Sequence, residues 1–447
     1  MATTQLNKSV QKNAGNDAIT KMTFSAWIKR SALGEGIIFA AHQLSTYYTH
    51  FYFNSDDRIQ IYSFINSSTA ANLVLERRFR DTNAWYHIVL TIDTTLGTDS
   101  DRMKVYVNGV RETVTNGGTT YPSQSSAFGQ FSDTGATLNI GNTANRGAFN
   151  GLMSHVHYIP YTAYDASAFG STDSTTGEWK INTSPSLTYS TAGFFILKDG
   201  NSVTDQSGNS NNFTVGAGTL TKTEDCPSNV FATLNPLFQS GGNDLNRGNT
   251  QSTNNTSNWY WRPSTLAATS GKYYCEVRIS AVGASIVGIA DLDDCVGYAP
   301  VDTHFGKTAV SPSGRGFAWY SDDGKIYYNN TSSSVFGTYT TSDILSLAMD
   351  IDNGAFYIGK NGTWLNSGDP TSGSSKTGAV STWTGGGTWT FANAVASNSV
   401  EQFNYGNGIF GQSTAVASAG TNASNIGIFE YDVPTGYTAL STKGLNE

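Results

Sequence analysis

Two tryptophans, Trp383 and Trp389, flank the triplet Gly385-Gly386-Gly387 within Ser381–Phe391. An indole held on a glycine-rich loop can lie flat on a sugar ring, so both are weak candidates for ligand binding. The plainer reading makes Trp389 the start of a core strand and packs Trp383 on a sheet edge. His155 and His157 sit at i, i+2 and share a strand face, a spacing compatible with metal ligation. No third ligand lies near them in sequence, and alternating polar positions on a half-exposed strand explain them as well. Asp56-Asp57 offers two carboxylates where a hard cation wants about six oxygens, so a turn is the simpler assignment. Glu430-Tyr431-Asp432 is the sole Glu-x-Asp pair, and Pro434 interrupts any strand there. Neither Gly-x-Ser-x-Gly nor His-Glu-x-x-His occurs, and the six histidines are scattered. The chain therefore reads as non-enzymatic, with no metal and no cofactor expected.

The elements that would position such residues are strands. Trp85–Asp93 alternates with Tyr86, Ile88, Leu90 and Ile92 on one face, and its other face is also largely apolar. A strand apolar on both faces is usually central in a sheet. Met103–Val107 follows and ends in Asn108-Gly109, which supplies the positive φ of a tight hairpin. The same arrangement returns about 255 residues later as Ile344–Asp352, Asn353-Gly354, Ala355–Lys360 and Asn361-Gly362. Two copies predict two sandwich domains of similar build.

Composition agrees. Of 447 residues only 13% are charged while 12% are aromatic, and glycine numbers 47. That is the profile of strands and turns with a polar, weakly charged surface. The net charge of −8 and the lack of any lysine–arginine cluster argue against nucleic acid; Arg77-Arg78-Phe79-Arg80 is the densest basic run. No apolar run approaches the ~18 residues of a membrane span. Cys226, Cys275 and Cys295 fit neither a zinc pattern nor a closed disulfide framework. Residues 1–20 lack the basic start and apolar core of a signal peptide. An export-style surface without export or staples suits a virion protein, made in a reducing cytoplasm and exposed only after lysis.

Read in order, residues 1–20 are a polar lead-in or edge strand and 21–225 a first sandwich. Residues 226–255 are a linker with an opening strand at Phe231–Leu237, and 256–447 a second sandwich. FSAWIKR (Phe24–Arg30), AWYHIVLTID (Ala84–Asp93), KVYVNGV, LNIGNTANRGAFNGLMSHVHYI and DQSGNSNNFTV (Asp205–Val215) together resemble a laminin-G or concanavalin-A-like jelly roll. They resemble especially the version in bacteriophage virion proteins, with SAFGSTDSTTGEWK (Ser167–Lys180) and GFFILKD following. GKYYCEVRI (Gly271–Ile279), VGIAD, YSDDGKIYYNN, DILSLAMDIDNGAFYIGKNGTW and EQFNYG resemble the SPRY domain, also a jelly roll. The closing FEYDVPTGYTALSTKGLNE resembles the last strand of phage SPRY-type modules. The expected fold class is all-β, two tandem antiparallel jelly-roll sandwiches.

The pairing resembles structural proteins of marine phages. It implies a tail fibre, spike or other surface appendage that binds host-surface glycan or neighbouring virion subunits, as a homo-oligomer with a trimer among the options. A head decoration or head-fibre protein is the first alternative and a glycan depolymerase the second. Laminarinase-like relatives carry Glu-x-Asp-x-(x)-Glu, which this sequence lacks at Glu430. No anchoring coiled coil or β-helix is visible, which favours a decoration or adaptor-docked subunit.

Overall fold

The period-two segments form strands in a computed structural model of the chain. It describes residues 5–9, 19–115, 119–131, 136–143, 146–198, 203–217, 220–238, 244–294, 302–307, 315–411, 414–418 and 420–446. Cys295 lies outside them. The chain divides into two units, residues 1–222 with 226–228, and residues 223–225 with 229–447.

In the first unit the strands are β1 (Gln5–Ser9), β2 (Lys21–Arg30), β3 (Gly36–Leu44), β4 (Tyr47–Phe53), β5 (Arg58–Ile65), β6 (Ser68–Arg78), β7 (Trp85–Asp93), β8 (Met103–Val107), β9 (Val110–Arg111), β10 (Thr137–Ile140), β11 (Gly151–Pro160), β12 (Gly170–Thr172), β13 (Trp179–Ile181), β14 (Phe194–Ile196) and β15 (Thr214–Ala217). One sheet runs β15-β1-β10-β3-β4-β5-β6 and the other β14-β11-β2-β7-β8-β9. Between them Phe24 stacks on Phe39 at 4.5 Å and meets Phe51 edge-on at 5.7 Å. Ile88, Leu90 and Ile92 of β7 join this core. The other face of β7 is covered too: Val89 packs with Ile159, Ala166 and Phe169, and His87 accepts a hydrogen bond from the Trp179 indole at 3.0 Å. Two covered faces are why this strand reads as apolar throughout. Gly109, at φ 83°, leaves the space that the Trp179 ring fills. The lead-in differs from expectation: Gln5–Ser9 is an interior strand, bonded to β10 on one side and β15 on the other. Residues 10–18 lie outside the described segments.

A buried ion pair ties β2 to the β4–β5 turn. Asp57 receives Arg30 at 3.0 Å, Arg80 at 3.1 Å and the Gly34 N–H at 2.7 Å. Both of its oxygens are committed, so the Asp56-Asp57 pair is a turn. Burial pushes the Asp57 carboxyl up, but the Gly34 N–H and the two guanidiniums outweigh it and hold the carboxyl below its usual range. A lowered folded pKa gives stability that is present above the unfolded value near ~4 and lost as pH falls through the folded one. Asp57→Asn is expected to destabilise the first unit by roughly 3 kcal/mol, since Arg30 stays buried without its partner. Thermal melts from pH 3 to 7 check this: the variant should also lose part of the acid-side slope.

The second unit holds β16 (Asp244–Asn246), β17 (Gln251–Asn254), β18 (Tyr260–Pro263), β19 (Lys272–Ala281), β20 (Ala284–Asp291), β21 (Gly316–Tyr320), β22 (Lys325–Tyr328), β23 (Thr331–Val335), β24 (Ile344–Asp350), β25 (Ala355–Lys360), β26 (Thr363–Trp364), β27 (Ser381–Thr382), β28 (Trp389–Ala396) and β29 (Ser399–Asn404). One sheet runs β16-β17-β29-β19-β24-β25-β26, with Thr438–Ala439 parallel to β19, and the other β18-β28-β20-β21-β22-β23. The repeated hairpin is β24–β25. Its first strand stops at Asp350, whose carboxylate takes the Asn353 N–H at 3.0 Å and turns the chain before Ile351-Asp352. Phe231–Leu237 is not the strand expected of it. Phe231 and Leu234 make single bridges to Ser441 and Ser264, and Pro236 has no N–H to extend a ladder. Residues 244–254, read as linker, are the outer hairpin of the larger sheet.

Candidate functional site

Trp383 and Trp389 lie in the core. Their exposures are 7% and 0%, their rings are 4.1 Å apart, and Trp389 stacks on Phe317 at 5.9 Å. Trp389 opens β28 and exchanges backbone hydrogen bonds with Ala268, while Trp383 closes over Phe317. Neither indole has a face to offer a ligand, which corrects the candidate reading. The histidine pair is separated as well. A bulge between Ser154 and His157 puts His155 at φ 48°, against the Ser154 hydroxyl. His157 is buried flat on Phe195 at 3.9 Å, beside the Tyr189 hydroxyl at 2.6 Å, and burial drives its pKa far down. Among the described residues no group of three His, Cys, Asp or Glu could hold a metal. Glu430 and Asp432 accept backbone N–H groups from Ala417 and Thr421, as loop braces.

The site that emerges is the outer face of the seven-stranded sheet. In β4 and β5 the inward positions are Phe51, Phe53, Ile59 and Ile61, which fill the core. Alternation therefore turns Tyr48, His50 and Tyr52, and Gln60, Tyr62 and Phe64, outward. Register then aligns them across five strands. One row is Asn139, Ala40, His50, Tyr62 and Asn72; the next is Thr137, His42, Tyr48, Phe64 and Thr69. Five strands at ~4.8 Å spacing make each row about 19 Å long. The rings touch: Tyr48 stacks on His50 at 4.6 Å and lies 5.6 Å from Phe64, which stacks on Tyr62 at 6.2 Å. Gln60 donates to Asn72 at 2.8 Å, and the Tyr62 hydroxyl meets Thr69 at 3.2 Å. Tyr48, Tyr62, Phe64, Gln60 and Asn72 are all half-buried and thus reachable.

This face is nearly neutral. Its ion pair, Arg146 with Glu35 at 2.6 Å, closes over the Tyr52 ring. His50 is 1% exposed, and neither ring nitrogen has a hydrogen-bond partner among the described residues. Burial, then the Arg146 and His42 charges, pull its pKa down to about 4, so the imidazole is neutral and offers one donor and one acceptor. A floor of aromatic rings edged by amides and hydroxyls suits a pyranose, whose C–H face packs on a ring while its hydroxyls find partners at the rim. The Glu35 carboxylate beside Tyr52 is held by Arg146.

The second unit buries charge instead. Glu401 is enclosed by Ser285 Oγ at 2.5 Å and Asn393 Nδ2 at 2.7 Å, and burial pushes its carboxyl up to about 8 despite both donors. A raised folded pKa gives stability that is complete below the unfolded value near ~4.3 and lost as pH climbs through the folded one. Glu401→Gln is expected to stabilise the unit at pH 9 by roughly 2–3 kcal/mol and to leave pH 5 unchanged. The free Asn393 Oδ1 can accept from the new amide. Urea titrations at both pH values measure this, and equal stability of parent and variant at pH 9 contradicts it.

Residues 4–163 match the family model of the concanavalin A-like lectin/glucanases superfamily, Laminin_G_3. No curated protein matches the chain. Among solved structures, the SPRY domain of human HERC1 is similar at 13% identity over 38% of this chain and 96% of that one, with a TM-score of 0.30. A heptameric SAP-like pentraxin from Limulus polyphemus is similar at 18% identity, over 34% and 75%, with a TM-score of 0.24. Domain 4 of AbnA, an arabinanase from Geobacillus stearothermophilus in complex with arabinotriose, is similar at 17% identity, over 34% and 66%, with a TM-score of 0.26. The all-β architecture, tandem antiparallel jelly-roll sandwiches, is the fold of this chain.

Proposed function

We propose that this chain is a non-enzymatic glycan-binding protein of a bacteriophage particle surface, and that the outer rows of β3–β6 hold the glycan. The observation that carries the reading is the register that puts Tyr48, Tyr62 and Phe64 side by side in two hydrogen-bonding rows that hold no Asp, Glu, Lys or Arg. The match of the same segment to a lectin-like family supports it. The phage setting, as a tail fibre, spike or other appendage, rests on the sequence resemblance together with the weakly charged surface. A neighbouring virion subunit is the other occupant of that face. The purified chain is expected to retain host-surface polysaccharide without releasing reducing ends. Release of reducing ends overturns the non-enzymatic reading, and antibody labelling confined to the head lattice of particles overturns the appendage reading.

A further inference from the structure

We propose a second, separate ligand site in the second unit, a polar cleft of about 520 Å³ that takes one or two neutral sugar residues. It lies where β19 begins, beside Asp352 and the segments Gly436–Thr438 and Gly444–Leu445. Its volume falls within the range of ordinary small-ligand pockets, ~300–1,000 Å³. The lining chemistry is mixed. Lys272 donates from one wall and is held by Asp350 at 3.0 Å. Asp352 gives one oxygen to the Gly271 N–H at 2.7 Å, which leaves the other to accept from a ligand. Gly271, at φ 92°, makes room for the Tyr273 hydroxyl, which a side chain there would strike. Thr438 is 7% exposed, and its Oγ1 has no hydrogen-bond partner among the described residues.

Charge selects among ligands. Lys272 is neutralised by Asp350, so Asp352 leaves the cleft one negative charge in excess, which repels phosphate, sulfate and carboxylates. Lining groups that both donate and accept match a hydroxylated, uncharged ligand, whose neighbouring hydroxyls can pair with one carboxylate oxygen and one ammonium. This site shares no residue with the sheet face of the first unit and does not depend on it.

The test uses the full chain carrying Tyr62→Ala and Phe64→Ala, so that the first face is silent, titrated calorimetrically with lactose, maltose, cellobiose and chitobiose. At least one is expected to bind. Ser270→Trp, which fills the mouth of the cleft from an exposed position, and Asp352→Asn, which keeps the Gly271 cap, should each weaken it tenfold or more at an unchanged melting temperature. No binding by any of the four sugars, binding indifferent to the plug, or preference for glucuronate or inorganic phosphate overturns the proposal. The first-unit reading is judged separately, by parent against Tyr62→Ala/Phe64→Ala.

Discussion

A chain carrying Tyr62→Ala and Phe64→Ala is expected to fold as the parent does and to bind its first-unit glycan on the order of 100-fold more weakly, since two aromatic anchors at ~1.4 kcal/mol or more each multiply. Both side chains point away from the core, and neither belongs to the buried set around Phe24 and Phe39. Their loss therefore removes platform and leaves the sandwich. Tyr62 stands opposite His50 and Asn72, and Phe64 opposite Tyr48 and Thr69, so each has a neighbour on both sides in its row. Circular dichroism and a melting curve verify the fold, and retention on immobilised polysaccharide reads the binding. Phe64→Tyr, which keeps a ring, should retain most of it. A double variant that melts normally and binds like the parent would remove the platform from the account.

The second large effect concerns stability. Glu276 lies at the centre of the larger sheet of the second unit, with no exposed surface. Each of its oxygens takes two donors: Oε2 accepts from the Glu430 N–H at 2.8 Å and Asn404 at 3.0 Å, and Oε1 from the Tyr431 N–H at 2.9 Å and the Tyr274 hydroxyl at 3.1 Å. Burial lifts the carboxyl to about 7, with the four donors pulling against it. The group fastens the chain around Glu430, some 150 residues away, onto β19. In Glu276→Gln one oxygen becomes an amide nitrogen, and whichever way it turns it faces a backbone N–H, that of Glu430 or that of Tyr431. The expected loss is roughly 3–5 kcal/mol, from a strained amide and orphaned N–H groups. Chemical denaturation of the full chain should show the second unit unfolding early while the first is unchanged. The contrast with Glu401→Gln is diagnostic, because Asn393 still has an acceptor to give while each oxygen of Glu276 faces a backbone N–H that can only donate.

How much of this was legible in the sequence follows from how local each feature is. The strands Trp85–Asp93, Met103–Val107 and Ala355–Lys360 came out of alternation and Asn-Gly turns alone, because both signals lie within a few residues of each other. The outward aromatics of β4 and β5 were present in the same alternation. Tyr48, His50, Tyr62 and Phe64 fill positions where an exposed strand face usually carries charge, and that was the available signal. What alternation leaves open is register: the rows exist because the Asn54–Arg58 turn sets Tyr48 against Phe64 rather than Tyr62. Trp383 and Trp389 admitted two readings, since three adjacent glycines suggest an exposed loop while alternation makes Trp389 a core strand; the rings fold back onto Phe317. The staples by Asp57 and Glu276 join residues far apart in sequence and could be found only in three dimensions.

The central claim is that the outer rows of the first unit bind glycan. Its most direct measurement is a glycan-array comparison of the purified parent with Tyr62→Ala/Phe64→Ala, both at matched folded concentration. The account predicts a defined set of oligosaccharides retained by the parent, with affinity for that set lost in the double variant. An array on which the parent retains nothing, or on which the two proteins give the same pattern at the same strength, would contradict it.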